Sequence, residues 1–424
     1  MRCMKDIDAA ASTLPSGAGR TCFLGALLAI LGGLAPAAQA ADAPARADPV
    51  FKPYADVRYR LEFVDQDDIA RGAVASTLRA RAGVKTVEWQ GFSAVLEGET
   101  IAHVGGARFN DTLNGRTQYP LVADPEDTAI NQAYVRWRQG DLLDVVVGRQ
   151  AINLDNQRWV GSVGWRQNDQ TLDAAGVTLK PARGLSFAYN HVWRVNRIYG
   201  TDSPQGAFRG NRIHLVRLSQ EVAGYGTLAA YDYLLDIPDA PALSSKTLGL
   251  RFSGSHALNG AWKLLYAVEY ARQSDHGRNP RDFGLDYLLL EPGLAHGAWT
   301  LRLGHEELGS NGVVALQTPL ATLHAFNGWA DKFLTTPVNG LRDVYVDLGY
   351  KLGGPGLLKD TSLRLAYHDY RAARGSMHYG RETDLMITHP VGRHLVVLAK
   401  YADYRADRYA SDTQKIWFAL EGKF

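Results

Sequence analysis

The chain has 424 residues, with 46 Lys or Arg against 44 Asp or Glu, a formal net charge of +2. Such a balance excludes a bulk basic surface for nucleic acid. The only two cysteines, Cys3 and Cys22, both precede residue 41, so the rest of the chain can hold neither a disulfide nor a cysteine metal site.

The first forty residues read as an export signal. Arg2, Lys5 and Arg20 precede an apolar run from Cys22 to Leu34, and Ala38-Gln39-Ala40 offers small residues for cleavage. The run is shorter than the roughly 20 residues of a spanning helix. The expected organisation is a signal peptide over 1–40, a short periplasmic segment over 41–52 and one domain over 53–424. Glycines and aromatics are spread evenly through that domain, with no linker or low-complexity segment.

From Tyr54 onward the chain alternates with period two. Ala55, Val57, Tyr59, Leu61 and Phe63 share one strand face, and Asp56, Arg58, Arg60 and Glu62 share the other. Strands are expected at 54–64, 75–87, 91–101, 129–138, 142–149, 172–180, 184–194, 210–219 and 226–236. They continue at 246–255, 260–272, 283–291, 297–307, 341–352, 361–371, 380–389, 393–405 and 413–424. About eighteen two-faced strands after an export signal fit an all-β fold, a transmembrane antiparallel up-and-down β-barrel with lipid outside and a wet lumen.

The connections support this reading. Every other one is short and rich in turn formers, as at Trp89-Gln90, Gln139-Gly140-Asp141 and Pro390-Val391-Gly392. Those between are mostly longer, notably 102–128, 150–171, 195–209 and 308–340. Outer-membrane barrels sort their loops in this way, with short turns periplasmic and long loops outside. Aromatics are expected in two belts on the lipid face. Trp137, Trp262, Trp299 and Phe187 fall near the short-turn end, and Phe63, Tyr233, Tyr270, Phe283 and Tyr401 near the other. The chain stops on a strand that ends in Phe424. This resembles the signal read by the barrel assembly machinery, and a closed barrel needs that strand to pair with the first.

Taking the polar faces as inward, the lumen is charged on the first strands. Arg58 and Arg60, then Arg79, Arg81 and Lys85, then Glu97 and Glu99, then Arg136 and Arg138 follow one another. Neighbouring strands lie about 4.8 Å apart, so these groups can form a salt-bridge ladder that stiffens the wall. They can equally form an arginine track for anions. Basic groups outnumber acids here, so some guanidinium groups are expected to stay free for solute. Two segments depart from period two, 149–168 and 316–333. Both are rich in polar residues and Trp, and each fits a long extracellular loop folded into the pore.

Those two segments, with Leu96-Glu97-Gly98-Glu99, Asn131-Gln132-Ala133-Tyr134 and Gly148-Arg149-Gln150, resemble the alginate export porin family. The likeness runs from about Phe51 to Phe424. It implies an eighteen-stranded outer-membrane barrel with an electropositive pore and passage of the uronate polymer alginate. By motif position it adds Arg149, Arg158 and Arg166 to the substrate path.

No HExxH, GxSxG, phosphate-binding glycine loop or EF-hand pattern occurs. No catalytic residue, cofactor or metal site is therefore expected, and no nucleic-acid partner. The sequence reads as a passive channel for anionic solutes, uronate polysaccharide or sugar acids, in the outer membrane of a Gram-negative bacterium. Its partners would be outer-membrane lipids, the assembly machinery and the solute. Alternatives from other classes are a barrel enzyme acting on lipid or polysaccharide and a secreted glycan-binding β-protein.

Overall fold

Alternating side chains and antiparallel neighbours build one sheet. The computed structural model describes residues 50–424. The expected signal peptide over 1–40, and all but the end of the segment over 41–52, lie outside the described residues.

The strands are β1 (Phe51–Gln66), β2 (Ala73–Thr86), β3 (Phe92–His103), β4 (Asp127–Gln139), β5 (Leu143–Gln150) and β6 (Thr171–Ala182). Next come β7 (Leu185–Asn196), β8 (Ala207–Val222), β9 (Gly226–Asp236), β10 (Ser245–Asn259), β11 (Trp262–Asp275) and β12 (Gly284–His296). The last are β13 (Trp299–Leu308), β14 (Leu341–Lys351), β15 (Ser362–Arg371), β16 (His378–Val391), β17 (Leu395–Ala406) and β18 (Thr413–Lys423). All belong to one 18-stranded sheet in which each strand pairs with its sequence neighbours and β1 also pairs with β18. The seam runs antiparallel, with Phe63 opposite Ile416 and Tyr59 opposite Leu420. Past its end the Ala55 amide donates to the Phe424 carbonyl at 3.0 Å, and the Phe424 amide returns a bond at 2.9 Å. Closure leaves no strand edge to lipid, where unpaired backbone groups cost several kcal/mol each.

Short connections such as 140–142, 183–184, 260–261 and 297–298 gather at one end, with the longer 352–361 as the exception. The long loops 104–126, 151–170 and 309–340 emerge at the other end. Leu218, Leu250, Leu303, Val346, Leu365, Ile387 and Phe418 point outward and are exposed, forming an apolar band around the outside of the barrel. Trp262, Trp299, Phe187 and Tyr270 are exposed at its rims, while Phe63, Tyr401 and Trp137 are half-buried there.

Two belt assignments are corrected. Tyr233 is 2% exposed and lies on the inner face of β9 beside Tyr231, their rings stacked at 4.7 Å. Phe283 precedes β12 and packs against the inner apolar cluster. That cluster joins loop residues Trp159, Val160, Leu316, Leu320, Trp329 and Phe333 to wall residues such as Tyr287, Tyr370 and Trp417. The barrel therefore holds a packed core where the long loops enter it, and the inner face there is apolar.

Candidate functional site: the in-folded loops and the charged lumen

The wall beneath the loops is a ladder of ions fixed by register. Arg58 faces Arg79 and Asp56 faces Arg81 across β1 and β2. Arg81 in turn faces Glu99 on β3, and Arg58 faces Glu421 on β18. Like charges directly opposite are unfavourable. Here the Arg58–Arg79 pair is offset by Glu421, 4.0 Å from the first and 3.9 Å from the second, and by Asp56, which binds Arg79. Arg81 is held between Glu99 and Asp169, the latter at 2.9 Å. Arg60 lies 3.5 Å from Asp124 and 4.3 Å above the Trp165 ring.

Loop 151–170 sits on this ladder. Arg58 donates to the Gln167 side-chain oxygen at 3.0 Å and to the Gly164 carbonyl at 2.8 Å. Gln167 also donates to Thr77 Oγ1 at 2.8 Å, and its amide donates to Asp124 at 2.8 Å. The loop starts where β5 comes unusually close to β4. Gly148 has φ of 129°, and a Cβ there would lie 2.3 Å from the Ala133 carbonyl oxygen. Glycine is therefore required ahead of Arg149.

Loop 309–340 is braced against loop 151–170. Val160 and Leu320 form a parallel bridge, and the Gly161 amide donates to the Leu320 carbonyl at 2.8 Å. Buried Arg158 reaches Glu306 at 2.9 Å and Asn327 at 3.0 Å. Buried Arg166 reaches Asp331 at 3.0 Å and Glu62 at 3.3 Å. Asp331 is a hub: besides Arg166 it accepts from Lys415 at 2.8 Å and pairs with His324 Nδ1 at 2.6 Å. Burial works to raise the Asp331 carboxyl, but the hydrogen bond with His324 and the charges of Lys415 and Arg166 outweigh it and hold it well below the usual carboxylate range. Burial holds His324 well below the ordinary imidazole value; Asp331 opposes this and Lys400 adds to it. The imidazole stacks on Trp165 at 4.5 Å. Lys400 lies 2.7 Å from His324 Nε2, 4.1 Å from the Trp165 ring and 3.8 Å from the Trp329 ring. This block fills the middle of the barrel.

Of the remaining expected lumen residues, Lys85, Arg136 and Arg138 sit nearer the short-turn end, Glu97 lies mid-strand on β3, and Arg149 stands at the long-loop end of β5. Lys85 is exposed at the rim, 4.9 Å from the Tyr54 ring. Glu97 is buried and accepts from Asn131 at 2.7 Å and Gln132 at 3.2 Å. Arg136 pairs with Asp144 at 2.7 Å, Arg138 with Glu88 at 3.8 Å, and Arg149 with Asp173 at 2.7 Å. The expected surplus of free guanidinium groups on the first strands is not found. Asp124, Asp169 and Glu421, supplied by loops and by β18, join Asp56, Glu99 and Asp144 in neutralising them.

Open space lies elsewhere. Below the block, a chamber of about 740 Å³ extends along β12–β15 to the short-turn rim. Arg302, Arg364 and Lys351 line it, with Phe326, Trp329, Tyr345 and Tyr350 as ring walls. Above the block, an outer vestibule of about 510 Å³ is lined by Arg166, Arg197, Arg281, His324 and Leu334. Arg302 and Arg364 keep 40% and 42% of their side chains exposed. The sequence reading passed over these two, although both occupy alternate inward positions on β13 and β15.

A family model described as "Alginate export" matches residues 54–284, more than half of the chain. Solved barrels share the fold. OpdL of Pseudomonas aeruginosa superposes with a TM-score of 0.68 at 14% identity, covering 88% of this chain and 98% of that one. OccAB4 of Acinetobacter baumannii gives 0.69 at 12% identity, covering 89% and 98%. Pseudomonas aeruginosa OpdK with vanillate gives 0.68 at 12% identity, covering 88% and 98%. No curated protein matches the sequence.

Proposed function

The chain belongs to the alginate export family, and from that premise we propose that it is a passive outer-membrane channel for anionic, carboxylate-bearing solutes. The observation that carries this reading is the ion pairing of lumen acids beside partly open bases. Glu306 accepts from Tyr287 and Asn327 and is ion-paired with Arg158, and Asp331 is held by Arg166, Lys415 and His324. Arg302 and Arg364 still face the chamber, and Arg197 and Arg281 face the vestibule. Basic groups facing a narrow, low-dielectric lumen attract anions, and the guanidinium fork matches a carboxylate. The OpdK structure with vanillate pairs this fold with a small carboxylate, in keeping with that choice.

The central block separates chamber from vestibule. A sugar acid or a short uronate oligomer fits these volumes better than a continuous polymer strand. Catalysis has no place in this reading, since family and fold are those of channels. Outer-membrane lipids meet the apolar band, and the assembly machinery reads the strand ending at Phe424, in a Gram-negative outer membrane.

Reversal potentials of the purified protein in planar bilayers test the proposal. Anion preference in dilute KCl, weakening toward 1 M as charges are screened, is expected. Cation preference, or an impermeable barrel, would overturn it.

A further inference from the structure

On the channel reading above, we infer that the inner chamber is a binding site for ring-bearing dicarboxylates, held between Arg302 and Arg364. Four adjacent strands alternate in charge there: Glu291 on β12, Arg302 on β13, Asp347 on β14 and Arg364 on β15. Arg302 faces Asp347 directly, and Arg364 faces Gly349, two residues further along β14.

Each acid is already paired. Glu291 accepts from the Tyr345 hydroxyl and lies 3.4 Å from Arg302 Nε. Asp347 accepts from Arg364 Nε. Arg364 is thus held through Nε, which fixes the plane of its guanidinium, and Arg302 is ion-paired to Glu291 on its Nε side. Neither has a hydrogen-bond partner on its terminal nitrogens among the described residues. Two sets of unused terminal donors therefore line one cavity. A carboxylate on each fork supplies the missing acceptors bidentately.

Spacing and wall chemistry narrow the ligand. The two arginines are two strands apart and offset by two residues, so their Cα atoms lie roughly 12 Å apart, from about 4.8 Å between strands and 3.4 Å per residue. Arginine side chains reaching inward from that separation leave a gap near the width of one six-membered ring. Trp329, 5.2 Å from the Arg364 guanidinium, supplies a flat wall, as do Phe326 and Tyr345. A rigid diacid with a planar or ring body meets forks and wall together. A monocarboxylate engages only one fork.

Single-channel recording in KCl tests this with terephthalate, benzoate and the open-chain sugar diacid glucarate as probes. Terephthalate is expected to interrupt the current with residence times at least tenfold longer than benzoate. The glucarate arm separates an aromatic ligand from a sugar-derived one: residence matching terephthalate assigns the site to diacids of either body, and residence near benzoate assigns it to rings. Arg302→Gln and Arg364→Gln should each bring terephthalate down to the benzoate level. Arg302→Lys, which keeps the charge but loses the fork, should behave like Arg302→Gln. Heat-modifiable gel migration confirms that each variant barrel is folded. Equal residence for terephthalate and benzoate in an anion-preferring wild-type channel overturns the site alone. Loss of anion preference in the wild type overturns the channel reading and the site with it.

Discussion

Replacing Asp331 by Asn removes one charge and keeps a side chain of the same shape at the hub that ties loop 309–340 to loop 151–170. Arg166 retains Glu62 at 3.3 Å and Asp124 at 3.7 Å. Lys415 has no other carboxylate within salt-bridge distance among the described residues and is left buried and uncompensated. Breaking a buried pair in this way costs about 3–5 kcal/mol. Taking about 3, because Asn still accepts hydrogen bonds, the open-to-closed ratio of the loops rises roughly a hundredfold at 1.4 kcal/mol per decade. The barrel itself keeps its closed ladder and should assemble normally. In planar bilayers the variant should spend far more time at a larger conductance level than the wild type. Adding Lys415→Met removes the stranded cation, and the double variant should return toward wild-type behaviour, which gives a coupling energy free of either single effect. Conductance and noise equal to wild type in Asp331→Asn, or no rescue by Lys415→Met, would refute the latch.

Acid should loosen the same latch. His324 takes up a proton less readily in the closed loops than its ordinary value of about 6.5, so closure weakens below about pH 6.5 by up to about 1.4 kcal/mol per unit. Asp331, held well below the carboxylate range, stays charged through that window, and His324→Gln should flatten the rise in open time. Arg81→Ala strands buried Glu99 beside Asp169 and should cost about 3–5 kcal/mol, read as a lower temperature for the folded-to-unfolded shift on gels; an unchanged temperature would mean the ladder is not structural. Leu250, exposed on the apolar band, should cost about 2–4 kcal/mol when changed to Arg, measured by urea unfolding from vesicles. Deleting Phe424 removes the seam bonds to Ala55 and should slow assembly more with the assembly machinery present than in plain lipid, a difference that pulse-labelled folding would reveal.

Period two in the charged strands was enough to orient them. Arg58, Arg60 and Glu62 on β1 contrast so strongly with Tyr59, Leu61 and Phe63 that only one face can meet lipid. Strand number and loop parity followed from the same pattern with turn residues between. The two aperiodic, Trp-rich segments were legible as loops that enter the pore because neither fits a membrane strand. On β9 the pattern failed. Ala229, Tyr231, Tyr233 and Leu235 are no more polar than Leu228, Ala230, Asp232 and Leu234, so alternation could not say which set lies inside. The loops decide it by packing an apolar core against that wall.

Which cations remain available to solute was likewise beyond the local pattern. Arg166 meets Asp331 across 165 residues of sequence, and Arg60 meets Asp124 only once loop 104–126 is in place. The amino-acid order by itself determined a closed ring of two-faced strands with a charged interior, because side-chain alternation is a local property of each strand. Only the folded molecule decided that the charges of the first strands lock the wall while Arg302 and Arg364 face open space. Ion pairing depends on which distant segments are brought within a few ångströms, and that is set by closure of the barrel and entry of the loops.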